Sequence, residues 1–213
     1  MNEGENKTIL YYVHDPMCSW CWGFQRVWQQ LQAKLPDYIE RRLVLGGLAA
    51  DSAEPMPMAL QQSLQAIWRR IEQQIPHVQF NFDFWAQCQP RRSTYPACRA
   101  VIAARLQSPS YEAAMILAIQ ITYYQQAQNP SDDKVLVALA EQIGLDKNQF
   151  FQQLNHPDVQ QQLMGEISLA KALGAQGFPS LLLLHNGEIT RLNLDYNDAK
   201  VMIDQVNELV VCS

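Results

Sequence analysis

Asp15-Pro16-Met17-Cys18-Ser19-Trp20-Cys21-Trp22-Gly23-Phe24 joins two segments of different period. Upstream, Thr8 to His14 is short, β-branched and aromatic, and reads as a buried strand that Asp15-Pro16 ends. Downstream, Trp20, Phe24, Val27, Trp28, Leu31 and Leu35 recur at spacings of three and four, the apolar face of a helix stopped by Pro36. Cys18 and Cys21 therefore stand where a strand turns into a helix. Two cysteines three apart at a helix start can close a disulfide within one turn. The first meets unpaired N–H groups and the positive end of the helix dipole, both of which favour its anion. Such positions bring a thiol from about 8.5 down into a range of roughly 3.5–7.5. A thiolate placed there attacks a substrate disulfide, and the second thiol resolves the mixed disulfide. Cys18 is thus the expected nucleophile and Cys21 the more buried resolving thiol. Ser19 and Trp20, between them, are expected to tune the potential and to meet substrate.

Working outward, Ile39 to Leu45 reads as a second strand closed by Gly46-Gly47. The middle of the chain changes style. Leu60, Leu64, Ile67, Trp68, Ile71 and Ile75 form a helical stripe between Pro57 and Pro76, while Phe80 to Trp85 reads as a loop or short extended piece. Pro96 opens a helix running to about Leu106, with Thr94 or Tyr95 near its start. Further helices are expected from Ser110 to Gln126, from a cap at Ser131 or Asp132 to Gly144, from Lys147 to Leu154, and from near Asp158 to Gly174. The last part returns to strands: Ser180 to His185, a hairpin turn at Asn186-Gly187, Glu188 to Leu194, then a closing helix from Asn197 to Val211. The order β-α-β, several helices, β-β-α predicts an α/β fold with a mixed sheet of about four strands and helices on both faces. Residues 1–50 and 158–213 are expected to form one discontinuous domain, and residues 51–157 a helical insertion subdomain over the face that carries the cysteines.

Gly177-Phe178-Pro179-Ser180 precedes the third strand. Taken alone, Pro179 is most simply a trans proline that begins an edge strand. Combined with the cysteine pair and the strand order, a cis Phe178–Pro179 bond beside Cys18 is expected, with Phe178 and Pro179 meeting substrate. The three features together resemble the DsbA-like branch of the thioredoxin superfamily, close to the FrnE-type predicted protein-disulfide isomerases. Residues 15–24 resemble that family's strand-to-helix active site, residues 177–180 its proline loop, and Tyr95-Pro96-Ala97-Cys98-Arg99-Ala100-Val101 a segment of its helical insertion. The resemblance covers essentially the whole chain. It implies a thioredoxin-like fold interrupted by helices, redox-active thiols, and no bound metal, nucleotide or other cofactor. It also implies disulfide-containing proteins or small thiols, glutathione among them, as partners. Kappa-class glutathione transferases and hydroxychromene-carboxylate isomerases share the architecture but usually carry Ser at the nucleophile position. Cys18 together with Cys21 favours dithiol chemistry, and the glutathione-dependent transferase or isomerase reading stands as the alternative.

Composition sets bounds on this reading. A chain of 213 residues with net charge -5 and no Lys or Arg run is not suited to nucleic acid. No stretch reaches the roughly 18 apolar residues of a membrane span, and residues 1–13 lack the pattern of a secretory signal, so a cytoplasmic location is expected. In a reducing compartment the pair rests as a dithiol, which makes reductase or isomerase activity the default direction. Five cysteines is an odd number and argues against a disulfide framework. Zinc would need two further ligands at suitable spacing; Cys88 and Cys98 lie far off, and no metal is expected. Cys98 reads as a buried inert thiol, Cys212 as a surface residue near the terminus, and Asn6-Lys7-Thr8 as a chance glycosylation match. His14 reads as a satisfied core histidine, Arg69, Arg70, Arg91 and Arg92 as solvated charges, and Trp22 and Phe24 as divided between core and groove rim.

Overall fold

A computed structural model describes residues 7–211. Asn6 and Cys212, on which two of the sequence readings fall, lie outside the described residues. The four strands are β1 (Ile9–His14), β2 (Glu40–Leu45), β3 (Ser180–His185) and β4 (Glu188–Arg191), in the order β2-β1-β3-β4. β1 runs parallel to β2 and antiparallel to β3, and β4 returns antiparallel to β3. Every residue of β1 is buried, which explains its unbroken apolar and aromatic run: it is one of the two inner strands, covered on both faces. β4, on the edge, is mostly exposed.

The period of two in β1 splits its side chains between two cores. Leu10 and Tyr12 pack with Phe24, Val27 and Leu31 of α1 (Ser19–Lys34) and with Met202 and Val206 of α9 (Lys200–Val211). Ile9, Tyr11 and Val13 pack on the other face with Ala170 and Leu173, at the end of α8 (Pro157–Ala172). Because β1 and β3 are antiparallel, Val13 lies opposite Ser180. The end of β1 and the start of β3 thus meet at one edge of the sheet. That pairing brings the cysteine turn beside the Phe178-Pro179 loop.

Between β2 and β3 the chain forms α2 (Met58–Gln74), α3 (Phe84–Gln87), α4 (Tyr95–Gln107), α5 (Tyr111–Tyr124), α6 (Asp133–Gln142) and α7 (Lys147–Leu154), followed by α8. Their core centres on α4, whose residues from Pro96 to Ala104 are all buried, as small side chains on every side of a helix allow. Trp68 stacks on Phe80 at 4.8 Å and meets Tyr123 and Tyr124 edge-on. This core runs on to Met17 and Leu45, so the helices pack directly against the active-site end of the sheet. Among the described residues, no helix is long and apolar enough to cross a membrane.

Several elements depart from the sequence reading. Residues 84–87 form a short helix instead of a loop or extended piece, after a turn in which the Asn81 side chain accepts from the Asp83 amide. β4 ends at Arg191 rather than Leu194, and α9 begins at Lys200 rather than Asn197. The Asp195 carboxylate accepts from the amides of Asn197 and Asp198, and the Asp198 carboxylate from that of Lys200, which holds the segment in turns. Asp132 occupies the N-cap of α6 without capping it, because its carboxylate is bound to Arg91.

Candidate active site

The turn after β1 is organised by a buried carboxylate. Asp15 is fully buried and accepts from the Met17 amide at 2.8 Å, the Leu48 amide at 2.7 Å and the Thr94 hydroxyl at 2.7 Å. The Cys98 thiol donates to the same carboxylate at 3.5 Å, and the Cys18 amide donates to the Asp15 carbonyl at 3.0 Å. One side chain therefore ties the cysteine turn to the segment after β2 and to α4. Burial raises the Asp15 pKa, opposed by the hydrogen bonds from Leu48, Thr94, Met17 and Cys98.

Cys18 is the N-cap of α1, with extended backbone and no acidic residue in the first turn to offset the helix dipole. Both cysteines are free thiols, and they differ in access: Cys18 is 7% exposed and Cys21 0%. The Cys18 thiol donates to the Phe178 carbonyl at 3.5 Å. The two thiols also differ in acidity. A hydrogen bond from the Cys21 side chain pulls the Cys18 pKa down, against burial and the Asp15 charge. Burial pushes Cys21 well above the ordinary thiol range, and its hydrogen bond to the Cys18 sulfur adds to the shift. The surroundings thus favour the anion at Cys18 over that at Cys21.

The Phe178–Pro179 bond is cis. The Phe178 ring lies against Gly46, where a β-carbon would come within 1.9 Å of it, and Ser180 donates to the Gly177 carbonyl at 2.7 Å. A cavity of about 270 Å³ opens beside Cys18. Met17, Trp20, Leu48, Met56, Trp68 and Phe178 give it an apolar wall, and Ser19, Arg91, Arg92, Ser93 and Thr94 add polar groups. Ser19, Trp20 and Phe178 therefore share this space with Cys18, whereas Pro179 is buried outside its lining. A second cavity of about 250 Å³ touches Cys21 together with Tyr12, His14, Trp28 and Gln120.

A family model described as the DSBA-like thioredoxin domain matches residues 9–200. The chain belongs to the DSBA-like thioredoxin domain family. Among curated relatives, the ClpXP adapter protein SpxH of Halalkalibacterium halodurans is 24% identical over 196 residues, covering 90% of this chain and 61% of that protein. The chain spans about three fifths of the length of the curated relatives it matches. Among solved structures, a candidate protein disulfide isomerase from Nitrosomonas europaea gives a TM-score of 0.82 at 22% identity, covering 94% of this chain and 96% of that one. The cytosolic disulfide reductase DsbM from Pseudomonas aeruginosa gives 0.75 at 23% identity over 94% and 98% of the two chains, and its structure with GSH gives 0.72. At these identities the structural likeness speaks to the fold.

Within this DSBA-like domain several readings from sequence need correction. His14 is buried but not satisfied: among the described residues neither ring nitrogen has a hydrogen-bond partner, and burial, with the Arg105 charge, lowers its pKa to about 3. Arg91 and Arg92 are half-buried and line the cavity beside Cys18 instead of standing in solvent. Arg69 and Arg70, by contrast, are exposed as expected, with their guanidinium groups over Phe82 and Trp20. Phe24 lies wholly in the core, and Trp22 stacks on Tyr124 away from the cavity. Asp15 is not legible as a site residue in the sequence, because Asp-Pro reads as a strand end and its partners Leu48 and Thr94 come from distant parts of the chain. Among the described residues, no group of three or more His, Cys, Asp or Glu is placed to hold a metal ion.

Proposed function

We propose that the chain is a cytoplasmic thiol–disulfide oxidoreductase or isomerase acting on protein or small-molecule disulfides, with Cys18 as nucleophile and Cys21 as resolving thiol. The observation that supports this reading is the asymmetry of the pair: Cys18 at a helix start, slightly exposed beside a cavity and with its pKa lowered, and Cys21 fully buried with its pKa raised. The Cys18 thiolate attacks one sulfur of the substrate disulfide. A Cys18–substrate S–S bond forms as the substrate's own S–S bond breaks, and the leaving thiolate takes up a proton. Cys21 then loses its proton and attacks the Cys18 sulfur, releasing the second substrate thiol and leaving a Cys18–Cys21 disulfide. Two molecules of a thiol such as glutathione, joined in the process into their own disulfide, supply the two electrons that return the pair to the dithiol. The likeness to DsbM, described as a cytosolic disulfide reductase and solved with GSH, supports the compartment and this reductant.

In this reading Ser19, Trp20 and Phe178 contact the substrate, and Pro179 shapes the loop that carries Phe178. Residues 51–157 act as a helical insertion subdomain on the domain formed by residues 1–50 and 158–213. Leu64, Ile67 and Trp68 of α2, in the cavity wall, support that role. A second thiol hydrogen-bonded to the first favours dithiol exchange over a glutathione-dependent transferase or isomerase. The test is insulin reduction. Cys18→Ser is expected to abolish it, and Cys21→Ser to accumulate mixed disulfides at Cys18; wild-type turnover in Cys18→Ser overturns the assignment.

A further inference from the structure

The cavity beside Cys18 has a charge pattern that the exchange chemistry does not explain. No acidic side chain lines it, and its two cations are differently placed. Arg91 is committed within the fold, donating to the Asp132 carboxylate at 2.6 Å and to the Ser131 carbonyl at 2.8 Å. Arg92, half-buried in the same wall, makes no hydrogen bond or ion pair among the described residues. The hydroxyls next to it are engaged: Ser93 accepts from the Ser52 amide, and Thr94 donates to Asp15. Ser19 and Tyr123 add hydroxyls to the wall, and the Arg92 charge acts on Tyr123, but among the described residues no carboxylate pairs with the guanidinium. In a chain of net charge -5, one cation without a carboxylate partner among the described residues lines the space beside Cys18. A guanidinium so placed matches a carboxylate in both charge and planar donor geometry.

Resting on the oxidoreductase reading, we propose that Arg92 is a specificity residue that binds a carboxylate of the substrate, so that the preferred small substrates are anionic disulfides. The carboxylate pairs with Arg92 while the substrate's S–S bond lies over Cys18. The Cys18–substrate bond forms, the substrate bond breaks, and the departing half leaves as an anionic thiol after taking a proton from solvent. Attack by Cys21 then releases the other half.

The experiment measures single-turnover oxidation of the reduced protein by three small disulfides of different charge. These are glutathione disulfide (anionic), bis(2-hydroxyethyl) disulfide (neutral) and cystamine (cationic). The wild type is expected to react fastest with glutathione disulfide, after correction for each reagent's rate with free cysteine, and added salt is expected to narrow the preference. Arg92→Gln is expected to lower the rate constant for glutathione disulfide by roughly tenfold, the scale of one hydrogen-bonded charge contact, and to leave the neutral disulfide within about twofold. Arg92→Lys, which keeps charge without the fork, is expected to recover part of the preference. Equal corrected wild-type rates for all three, or an equal loss on all three in Arg92→Gln, overturn the proposal while leaving the oxidoreductase reading intact. Reaction with none of the three overturns both.

Discussion

Asp15 joins the turn that carries Cys18 to its surroundings through one carboxylate, and its charge acts on the Cys18 thiol. Since that charge raises the Cys18 pKa, removing it acidifies Cys18. Asp15→Asn is therefore expected to shift the pH profile of Cys18 alkylation by iodoacetamide toward lower pH, whereas a purely structural role for Asp15 would leave the profile in place. Asp15→Ala leaves the buried Met17 amide and the half-buried Leu48 amide without their acceptor. It is expected to destabilise the fold by roughly 1–3 kcal/mol for each donor left unpaired, read from urea denaturation. At this scale the sequence is uneven as a source. Cys18 and Cys21 are legible because both lie within one helical turn and their chemistry is local. Asp15 and Arg92 are not, because a carboxylate or guanidinium declares its role only through partners, and Thr94 lies 79 residues from Asp15.

The elements that build the site are β1, α1, β3 and the turn after β2. Gly46 donates to the His14 carbonyl at 2.7 Å and leaves room for the Phe178 ring. A methyl at position 46 would meet the ring at 1.9–2.8 Å, so Gly46→Ala must displace Phe178 and with it the carbonyl that faces Cys18. Insulin reduction is expected to fall by roughly tenfold to hundredfold with far-UV circular dichroism unchanged, since small misplacements at a reacting centre are costly. Normal activity would show that the Phe178 contact does not matter. The long elements were legible from period and punctuation: an unbroken apolar run for β1, a stripe closed by Pro36 for α1, Asn-Gly between β3 and β4. The four-residue α3 was not, because it is too short to display a helical period, and the start of α9 was hidden by competing side-chain turns at Asp195 and Asp198.

For the whole molecule, the buried His14 couples folding to pH. Its folded-state pKa is depressed from 6.5 to about 3, chiefly by burial. The unfolded chain therefore binds a proton between these values that the folded chain refuses. Stability from this group is complete above about pH 6.5 and falls as pH drops, by about 1.4 kcal/mol per pH unit, until the folded imidazole also titrates near 3. Urea midpoints are expected to decline from pH 7 to pH 4, and His14→Phe to flatten that decline; an unchanged slope in the variant would place the acid sensitivity elsewhere. The order of elements, and hence the thioredoxin-like layering, was readable along the chain. Which of the helices between β2 and β3 reach the cysteine turn was not, because the contacts of Met17 with the helical core are fixed by three-dimensional packing and not by any local pattern.

The meeting of β1 and β3 also has a consequence during synthesis. Cys18 and the Phe178 carbonyl it contacts are separated by 160 residues. At ribosomal rates of about 5–20 residues per second, the thiol pair emerges roughly 8–32 s before the loop that faces it. Over that interval Cys88 and Cys98 also emerge, and the nascent chain carries four thiols with no β3 yet in place to align the redox pair. A reducing surrounding at the ribosome exit would keep those thiols from pairing wrongly until β3 and the loop before it close over Cys18.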